Sequence, residues 1–403
     1  MITNEFIAKI EGHGSLRVNW ENNTIKLHVH EGERLFEGIL VGKTAEEAHW
    51  ITPRICGICP IAHNLASLAS LENALGIKIN ETAKLLRGLM KAGQMIQSHV
   101  LHLFFLSLPD YIGLDKGTEL VKKDPKSFAK ALSLKELADE IAFVIAGRNV
   151  HPTTTAIGGF HKIPSKKELE KLLEKIKKTE KEVEWAVKFF SELKYPELKV
   201  DLELVSQKDG KIVSNKTSDV DRKTSDVDIK DYKQNLEEEL RDYSTAKFGK
   251  FQGREIMVGA LARLANVRHS VSNILDFNNP FHNNIAQAVE IFEFSKEAEE
   301  IIEKLLTREM DSIIAKPSEN ATLKGIGAVE APRGGLYHEI HLDEKGIITY
   351  ANIITPTVQN LTSIEKSANA LMEQFKDRPT KEKEKLLNML VRAYDPCITC
   401  SVH

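Results

Sequence analysis

The sequence RICGICP at residues 54–60 is matched, near the other end of the chain, by DPCITC at residues 395–400. These two Cys-x-x-Cys pairs contain all four cysteines of the 403 residues. Two residues between cysteines allow a tight turn to aim both sulfur atoms at one point. We therefore predict a single four-thiolate metal site, whose closure requires the last segment of the chain to return to the interior of the fold.

Three other interpretations of the cysteines compete with this one. Two structural disulfides fit poorly, because no feature marks the chain as secreted and cytosolic thiols stay reduced. A thioredoxin-like redox pair needs one motif in a βαβ setting and leaves the other motif unexplained. A structural zinc site fits the ligand count, although its cysteine pairs usually come from one short segment. The spacing alone leaves zinc open beside a soft transition metal or a metal cluster.

The residues around the cysteines resemble the two signature motifs of the large subunit of nickel–iron hydrogenases. The motifs here are Arg54-x-Cys56-Gly57-x-Cys59 followed by His63, and Asp395-Pro396-Cys397-x-x-Cys400 followed by His403. Further segments are similar to family segments in the same order: IEGH at 10–13, RLFE at 34–37, APRG at 331–334 and TPT at 355–357. The resemblance implies an enzyme that converts dihydrogen reversibly into two protons and two electrons.

The resemblance also implies how the four cysteines share a nickel–iron centre. Cys56 and Cys397 would be terminal nickel ligands. Cys59 and Cys400 would bridge nickel to an iron that carries one carbonyl and two cyanide ligands. His63 would donate a hydrogen bond toward a bridging sulfur.

Proton handling is implied in the same way. Arg333 would hang its guanidinium over the two metals, where it can polarise or deprotonate bound dihydrogen. The proton would leave to the Cys397 thiolate or to Arg333 and then pass through Glu11, because a buried carboxylate suits such a relay. In many family members an aspartate at position 98 contacts this arginine. Ser98 cannot carry that charge, so the sequence does not determine how the charge of Arg333 is balanced.

A second site, for magnesium or another divalent ion, is implied near the C-terminus. Its ligands would be Glu37, His403 and the backbone carbonyl of Ile353. Carboxylate and carbonyl oxygens suit a hard cation, whereas the imidazole is the unusual member. The surroundings of the nickel–iron centre would include four more residues: Pro332, Pro356, Thr357 and Asp395.

Apolar periodicity predicts an α+β fold that is predominantly helical, with a core of long helices and small N-terminal and C-terminal β elements. The predicted helices are 81–109, 134–148, 166–193, 284–312 and 381–394, and residues 1–50 form a β region with a hairpin turn at Asn22-Asn23. We expect one domain over residues 1–403, in which the polar stretch 206–250 is a surface insertion without a catalytic role. His99 and His102 are expected to be hydrogen-bonded core residues rather than metal ligands.

Composition narrows the functional class. A formal net charge of −3 gives no signal for a nucleic-acid partner or a membrane surface. The N-terminus lacks the pattern of a signal peptide, and the most apolar stretch, residues 100–108, is too short to span a bilayer. We expect a cytoplasmic protein without a membrane span.

Partners follow from the cysteine count. Because the centre would use every cysteine, none is left for an iron–sulfur relay, and electrons must leave through an iron–sulfur small subunit. A further subunit would handle NAD(P), a deazaflavin or another carrier. The residues of the first cysteine motif look most like those of the cytoplasmic bidirectional branch of the family. The family also implies nickel-insertion proteins and a maturation protease that cleaves after the final histidine. A chain that stops at His403 is expected to be either the processed enzyme or a member of the hydrogen-sensing branch.

Overall fold

Long helices and several small β-sheets alternate along the chain, which a computed structural model describes over residues 2–217, 219–267, 273–310, 314–319 and 321–403, with the backbone alone for 219–224 and 267. The α-helices in this part of the chain are α1 Phe36–Leu40, α2 Ala45–Ile51, α3 Pro60–Ala74, α4 Glu81–Leu101, α5 Leu108–Ile112, α6 Leu120–Lys123, α7 Pro125–Ala146, α8 Lys166–Lys178, α9 Glu180–Ser191, α10 Tyr232–Asn235, α11 Ala260–Val267, α12 Asn283–Leu306, α13 Pro356–Gln374, α14 Thr380–Ala393 and α15 Ile398–Ser401. The strands are β1 Ile2–Phe6, β2 Gly14–Asn19, β3 Thr24–Val29, β4 Thr155–Ala156, β5 Gly159–Phe160, β6 Glu203–Lys208, β7 Lys211–Lys216, β8 Asp219–Asp228, β9 Leu236–Arg241, β10 Ser244–Phe251, β11 Ile256–Met257, β12 Lys324–Ala331, β13 Gly334–Leu342 and β14 Ile348–Ile354.

Three long helices form the centre of the molecule. α7 and α12 both pack against α4, and their facing side chains are apolar and fully buried, as Leu89, Leu134 and Ile291 illustrate. The burial of this face supplies the main stabilisation of the bundle, because apolar area removed from water is the dominant favourable term in folding. Together with the small sheets, this core confirms the predicted α+β, predominantly helical fold. Among the described helices, none has both the length and the apolar character needed to cross a bilayer.

The sheet β12–β13–β14 lies directly on α3, the helix that follows the first cysteine pair. Two glycines of β12 make this approach possible. A Cβ atom at Gly325 would lie 1.9 Å from the carbonyl oxygen of Ser70, and one at Gly327 would lie 2.1 Å from that of Ala66. Because α3 and the sheet are in such close contact, residues on β13 and β14 are held against the first cysteine pair.

The N-terminal hairpin folds as predicted from its alternating pattern, but the predicted β region over residues 1–50 ends at Val29, because Phe36–Leu40 and Ala45–Ile51 form α1 and α2. β2 and β3 are antiparallel, with Leu16 opposite Leu27, and Asn23 adopts the left-handed conformation in the turn between them. The apolar side chains of one face are buried in the core. The hairpin thereby fixes the segment before β2, which contains Glu11.

The interpretation of residues 206–250 as a polar surface insertion is wrong for much of that stretch. Apart from Ser218, which lies outside the described residues, it forms strands β6 to β10 with short connections. In β10, Phe248 and Phe251 are fully buried, and the strand packs on α13. Charged residues on the exposed face of these strands lower the average hydropathy, which hid the alternating pattern.

Three predicted helices differ in their bounds. The helix expected over 134–148 begins earlier, at Pro125, and ends at Ala146. The helix expected over 166–193 is two helices, because Thr179 donates its hydroxyl to the carbonyl oxygens of Lys175 and Ile176 and ends α8. The helix expected over 284–312 ends at Leu306. Residues 311–313 lie outside the described part of the chain.

Candidate metal centre

The four cysteine sulfur atoms meet in one buried cluster, all within 4.8 Å of one another. Cys56 Sγ lies 3.2 Å from Cys397 Sγ, and Cys59 Sγ lies 3.5 Å from Cys400 Sγ. Each side chain is at most 5% exposed. These separations are too long for disulfide bonds, which are near 2.05 Å. Four buried thiols at this spacing form a donor set for a thiophilic metal rather than a pair of crosslinks.

The first cysteine loop, residues 56–59, is positioned by its own backbone. The N–H groups of Ile58 and Cys59 both point at Cys56 Sγ, at 3.3 and 3.4 Å. Pro60 then begins α3, where its missing N–H costs nothing. The positive end of this helix favours negative charge on the neighbouring sulfur atoms.

The second cysteine loop, residues 397–400, is positioned by residues far away in the sequence. The backbone N–H of Ile398 donates to the carbonyl oxygen of Glu11 at 2.9 Å, and the N–H of Thr399 donates to its carboxylate at 3.1 Å. The N–H of Cys397 donates to Thr357 Oγ1 at 2.9 Å. Ile398, Thr399 and Cys400 belong to α15, which has only four residues, so these contacts hold the segment in place.

Arg34 joins the two cysteine loops. One of its guanidinium nitrogens donates to the carbonyl oxygen of Ile55 at 2.7 Å and to that of Thr399. Its backbone N–H donates to the carbonyl oxygen of Val402 at 2.9 Å. The sequence analysis noted the RLFE segment but gave Arg34 no role. Its position in a segment shared with the family was the signal that could have found it.

The electrostatics of the cluster favour cation binding. Burial, together with hydrogen bonds among the cysteines, raises the pKa of Cys397 well above its ordinary value. Hydrogen bonds from Cys397, Cys400 and Cys59 hold the pKa of Cys56 well below its ordinary value. Because metal binding requires thiolates, a bound cation would replace the thiol protons of the cluster.

Glu11 and Cys397 are in direct contact. The Cys397 thiol donates to Glu11 Oε2 at 2.9 Å, and the Glu11 side chain is half-buried. Gly12, the next residue, has a φ of +84°, and a Cβ atom there would lie 2.8 Å from Ile398 Cβ. The glycine thus permits the close approach that places the carboxylate beside the sulfur.

Arg333 is held beside the cluster by Asp395. Its Nε donates to the Asp395 carbonyl oxygen at 2.6 Å and its Nη2 to the carboxylate at 2.8 Å. Ser98 accepts a longer contact, 3.4 Å, from Nη1. Burial lowers the pKa of Arg333, but the charges of Asp395 and the cysteines outweigh this and raise it above its ordinary value. The guanidinium therefore stays positive although position 98 carries no charge.

Behind Arg333 lies a buried ionic network that the sequence analysis missed. Arg263 forms two hydrogen bonds to Glu290, at 2.6 Å each, and one to Glu330 at 2.7 Å. It also donates to the carbonyl oxygen of Pro332 at 2.9 Å. The network fixes the backbone just before Arg333. An arginine inside the apolar stretch 256–265 was the only sequence signal for it.

The residues expected to bind a divalent ion also come together. His403 Nε2 lies 2.8 Å from the carbonyl oxygen of Ile353 and 3.3 Å from Glu37 Oε1. Burial lowers the pKa of His403, but its hydrogen bond to Glu37 outweighs this and raises the pKa above its ordinary value. A cavity of about 170 Å³ adjoins Glu37 and His403, and Glu33, Glu238 and Lys247 line it too. One imidazole with carboxylate and carbonyl oxygens fits a hard divalent cation.

The remaining predicted residues lie around the cluster. Pro332 and Pro356 are buried, and Pro356 begins α13 one residue before Thr357. His63 Nε2 lies 3.6 Å from Cys400 Sγ, and burial lowers the pKa of His63 to about 4. His338, which the sequence analysis did not single out, lies beside His63.

His99 and His102 are core residues, as predicted. His99 Nε2 lies 2.8 Å from the Glu290 carboxylate. His102 contacts Gln287 through Nδ1 at 2.5 Å and the carbonyl oxygen of Arg392 through Nε2 at 2.7 Å. Neither ring belongs to the sulfur cluster.

Comparisons with known proteins give a consistent result. A family model described as nickel-dependent hydrogenase matches residues 34–132 and 212–403. Sulfhydrogenase 1 subunit alpha of Pyrococcus furiosus is 33% identical, and the alignment covers 100% of this chain and 97% of that protein. The NAD-reducing hydrogenase HoxS subunit beta of Cupriavidus necator is 28% identical, with coverage of 98% and 93%. A solved structure of an NAD⁺-reducing [NiFe]-hydrogenase in the H₂-reduced state has the same fold, with a TM-score of 0.88, 24% identity and coverage of 100% and 99%.

Proposed function

This chain belongs to the nickel-dependent hydrogenase family as a catalytic large subunit, and we propose that its four cysteines hold a nickel–iron centre for the reversible oxidation of dihydrogen. The observation that carries the proposal is the cluster of four buried sulfur atoms within 4.8 Å of one another. Thiolates are the ligands that soft transition metals prefer, and the site excludes water. The donor set therefore fits the group that the family name implies.

All four cysteines would hold the centre. As the family resemblance implies, Cys56 and Cys397 would be terminal nickel ligands, and Cys59 and Cys400 would be shared between nickel and an iron with one carbonyl and two cyanide ligands. When bound, this centre would supply the site at which dihydrogen is split heterolytically.

Proton transfer is assigned to Cys397, Glu11 and Arg333. The contact of Cys397 Sγ with Glu11 Oε2 at 2.9 Å is within the reach that proton transfer requires. Glu11 is half-buried, so it can pass a proton from the closed cluster toward solvent. Arg333 adds a fixed positive charge beside the sulfur atoms, where it favours the thiolate forms.

Electrons would leave at the first cysteine loop. All four cysteines are used by the centre, so the electron acceptor belongs to another subunit, which we identify as an iron–sulfur small subunit. Arg54 and Gly57, on either side of the buried Ile55 and Cys56, are exposed, so a short covalent path leads from the cluster to the surface here. A further subunit would carry the electrons to a soluble acceptor, and the name of the Cupriavidus necator relative points to NAD. We place this reaction in the cytoplasm.

At the C-terminus, Glu37, His403 and the Ile353 carbonyl would bind magnesium or another divalent ion. Such an ion would fix the last residue and, through it, the second cysteine loop. His403 Nδ1 already contacts the Cys400 carbonyl oxygen at 2.9 Å, which links the two sites.

Metal analysis of the chain purified with its partner tests the centre. We expect one nickel per chain, one iron per chain beyond the iron of the partner's iron–sulfur clusters, and one carbonyl and two cyanide infrared bands. Zinc at one atom per chain without such bands would contradict the proposal.

The proton route has its own test in Glu11→Gln, which keeps the size of the side chain and removes its basic site. We expect hydrogen oxidation to fall about 10²- to 10⁴-fold, the usual contribution of a positioned acid–base group, while metal content and infrared bands stay unchanged. Glu31→Gln, at a nearby carboxylate that contacts His13 instead of the cluster, is the matched control. Equal activity of the two variants would exclude Glu11 from the route.

A further inference from the structure

His338 makes a contact that the proposed mechanism does not use. Its Nε2 lies 3.2 Å from Nδ1 of His63, whose Nε2 in turn faces Cys400 Sγ at 3.6 Å. Both imidazoles are fully buried. The three side chains therefore form a line from β13 through α3 to the second cysteine of the C-terminal pair.

The surroundings of His338 decide which nitrogen carries its proton. Within the described part of the chain, no group lies within hydrogen-bonding distance of His338 Nδ1. A buried N–H without a partner costs about 1–3 kcal/mol, whereas a bare ring nitrogen is tolerated more easily. The proton consequently resides on Nε2 and is donated to His63 Nδ1.

This donation fixes the tautomer of His63. Because His63 Nδ1 accepts, the single proton of this neutral ring resides on Nε2, which faces Cys400 Sγ. The opposite arrangement would point the lone pair of His63 Nε2 at a thiolate and leave the Nδ1–H of His338 without an acceptor. The hydrogen bonds of the line therefore all run in one direction, toward the sulfur.

We propose that His338 is a positioning residue that fixes the tautomer of His63 and so maintains an N–H···S hydrogen bond to the bridging thiolate of Cys400. The inference rests on the proposed nickel–iron centre. A hydrogen bond to a ligating sulfur lowers the electron density that the sulfur donates and thereby tunes the metal.

The fold gives His338 the rigidity that this role needs. β13 begins at Gly334, directly after Arg333, and pairs with β12 on one side and β14 on the other. Within this sheet His338 is opposite Ile353, whose carbonyl oxygen contacts His403. A side chain on the central strand of a sheet is held in a more fixed orientation than one on a loop, and His338 needs such an orientation to position His63.

Infrared spectra of the holoenzyme provide the test. In His338→Met the donor is lost at similar volume, so Cys400 donates more electron density to iron and the carbonyl band shifts to lower wavenumber. In His338→Gln the amide N–H takes the place of the ring Nε2–H, and the band is expected to stay at the wild-type position. Nickel and iron content, measured on each sample, must equal that of the wild type.

A double variant separates positioning from general damage. If His338 acts through His63, then His63→Met shifts the band in the same direction and His63→Met/His338→Met shifts it no further. Additive shifts, or a His338→Met spectrum identical to the wild type at equal metal content, would overturn the inference.

The remaining outcomes are also decisive. If His338→Met yields no loaded enzyme, His338→Gln and His338→Asn decide, because the shorter asparagine amide does not reach the position of Nε2. Wild-type bands in the glutamine variant and a shift in the asparagine variant support the inference, and equal shifts overturn it. A wild type without carbonyl and cyanide bands would overturn the proposed centre and this inference together, and is read before any variant.

Discussion

Each of the two cysteine loops supplies two cysteine ligands, but the contacts that stabilise the two loops differ. The loop 56–59 is shaped by its own N–H groups and by the start of α3, a helix of 15 residues. Most of the loop 397–400 lies in α15, a helix of only four residues, and its position depends on Glu11, Arg34 and Thr357. The loop 56–59 is therefore stabilised by contacts with its sequence neighbours, whereas the loop 397–400 is stabilised by tertiary contacts with distant residues.

This difference predicts where the site is vulnerable. A local structure survives the loss of a distant residue, whereas a tertiary one loosens when any of its remote partners is removed. Hydrogen exchange of segments 395–403 and 54–66 measures the two halves separately. Four substitutions test this contrast.

Arg34→Ala removes the side chain that joins the two loops. We expect the opening free energy of segment 395–403 to fall by about 3 kcal/mol, since hydrogen bonds from a charged donor to two buried carbonyls are lost. That is on the order of a hundredfold faster exchange there, with a much smaller change in 54–66. Arg17→Ala, at an exposed arginine of β2, is the control and should change neither segment. Equal loosening of both loops by Arg34→Ala would break the contrast.

Gly12→Ala places a methyl group against the second loop. The added Cβ would lie 2.8 Å from Ile398 Cβ and from the Thr399 nitrogen. Gly42→Ala is the matched control, because its φ of +87° is nearly the same and no atom lies within 4 Å of the added Cβ. Both variants bear the left-handed penalty of about 1 kcal/mol, but Gly12→Ala alone should add about 1–2 kcal/mol and lower the nickel content. Nickel content that falls equally in both variants would show that backbone strain, and not the contact, is responsible.

Thr357→Val leaves the Cys397 N–H without its acceptor. We expect a loss of about 1–2 kcal/mol from the second loop, seen as faster exchange in 395–403. Thr362→Val is the control on the same helix, because that hydroxyl donates to the Gly249 carbonyl oxygen instead. It should destabilise the chain as a whole without a selective effect on the loop, and a selective effect there would count against our assignment.

Pro60→Ala tests the first loop. Pro60 begins α3 without contributing a hydrogen bond, so its replacement is expected to cost less than about 1 kcal/mol, through greater freedom of the unfolded chain. Exchange in 54–66 and metal content should stay close to the wild type. A large loss of nickel would show that the first loop is less self-sufficient than its contacts indicate.

The same contrast explains what could be predicted from the sequence. The cysteine motifs, the hairpin over β2 and β3 and most of the long helices follow from local spacing, periodicity and turn residues. Residues 206–250 were misjudged because charged residues on one strand face masked the buried Ile212 and Phe248. Thr179 ends α8 because its hydroxyl donates to backbone carbonyl oxygens of the helix and so competes with the backbone N–H groups. The spacing of apolar residues gives no sign of such a hydrogen bond.

The candidate site divides in the same way. Its ligands are recognisable from their motifs, but their supports are not, because Arg34, Arg263 and His338 act through contacts with residues more than 20 positions away. Asp395 shows the limit most clearly. The sequence pointed to position 98 as the partner of Arg333, whereas the ion pair is made by a residue of the C-terminal motif itself. Which of several polar groups contacts an arginine is decided by tertiary packing.

The separation of 341 positions between Cys56 and Cys397 also imposes a delay during synthesis of the chain. At about 5–20 residues per second, a ribosome needs roughly 17 to 70 s after making the first cysteine before it makes the third. During that interval α3 can already present two thiols at its start, while the other two do not yet exist. A metal that requires all four sulfur atoms can be enclosed only after this part of the chain has left the ribosome. Completion of the four-sulfur site is therefore a late event in the synthesis of the protein, and α3 can form before it.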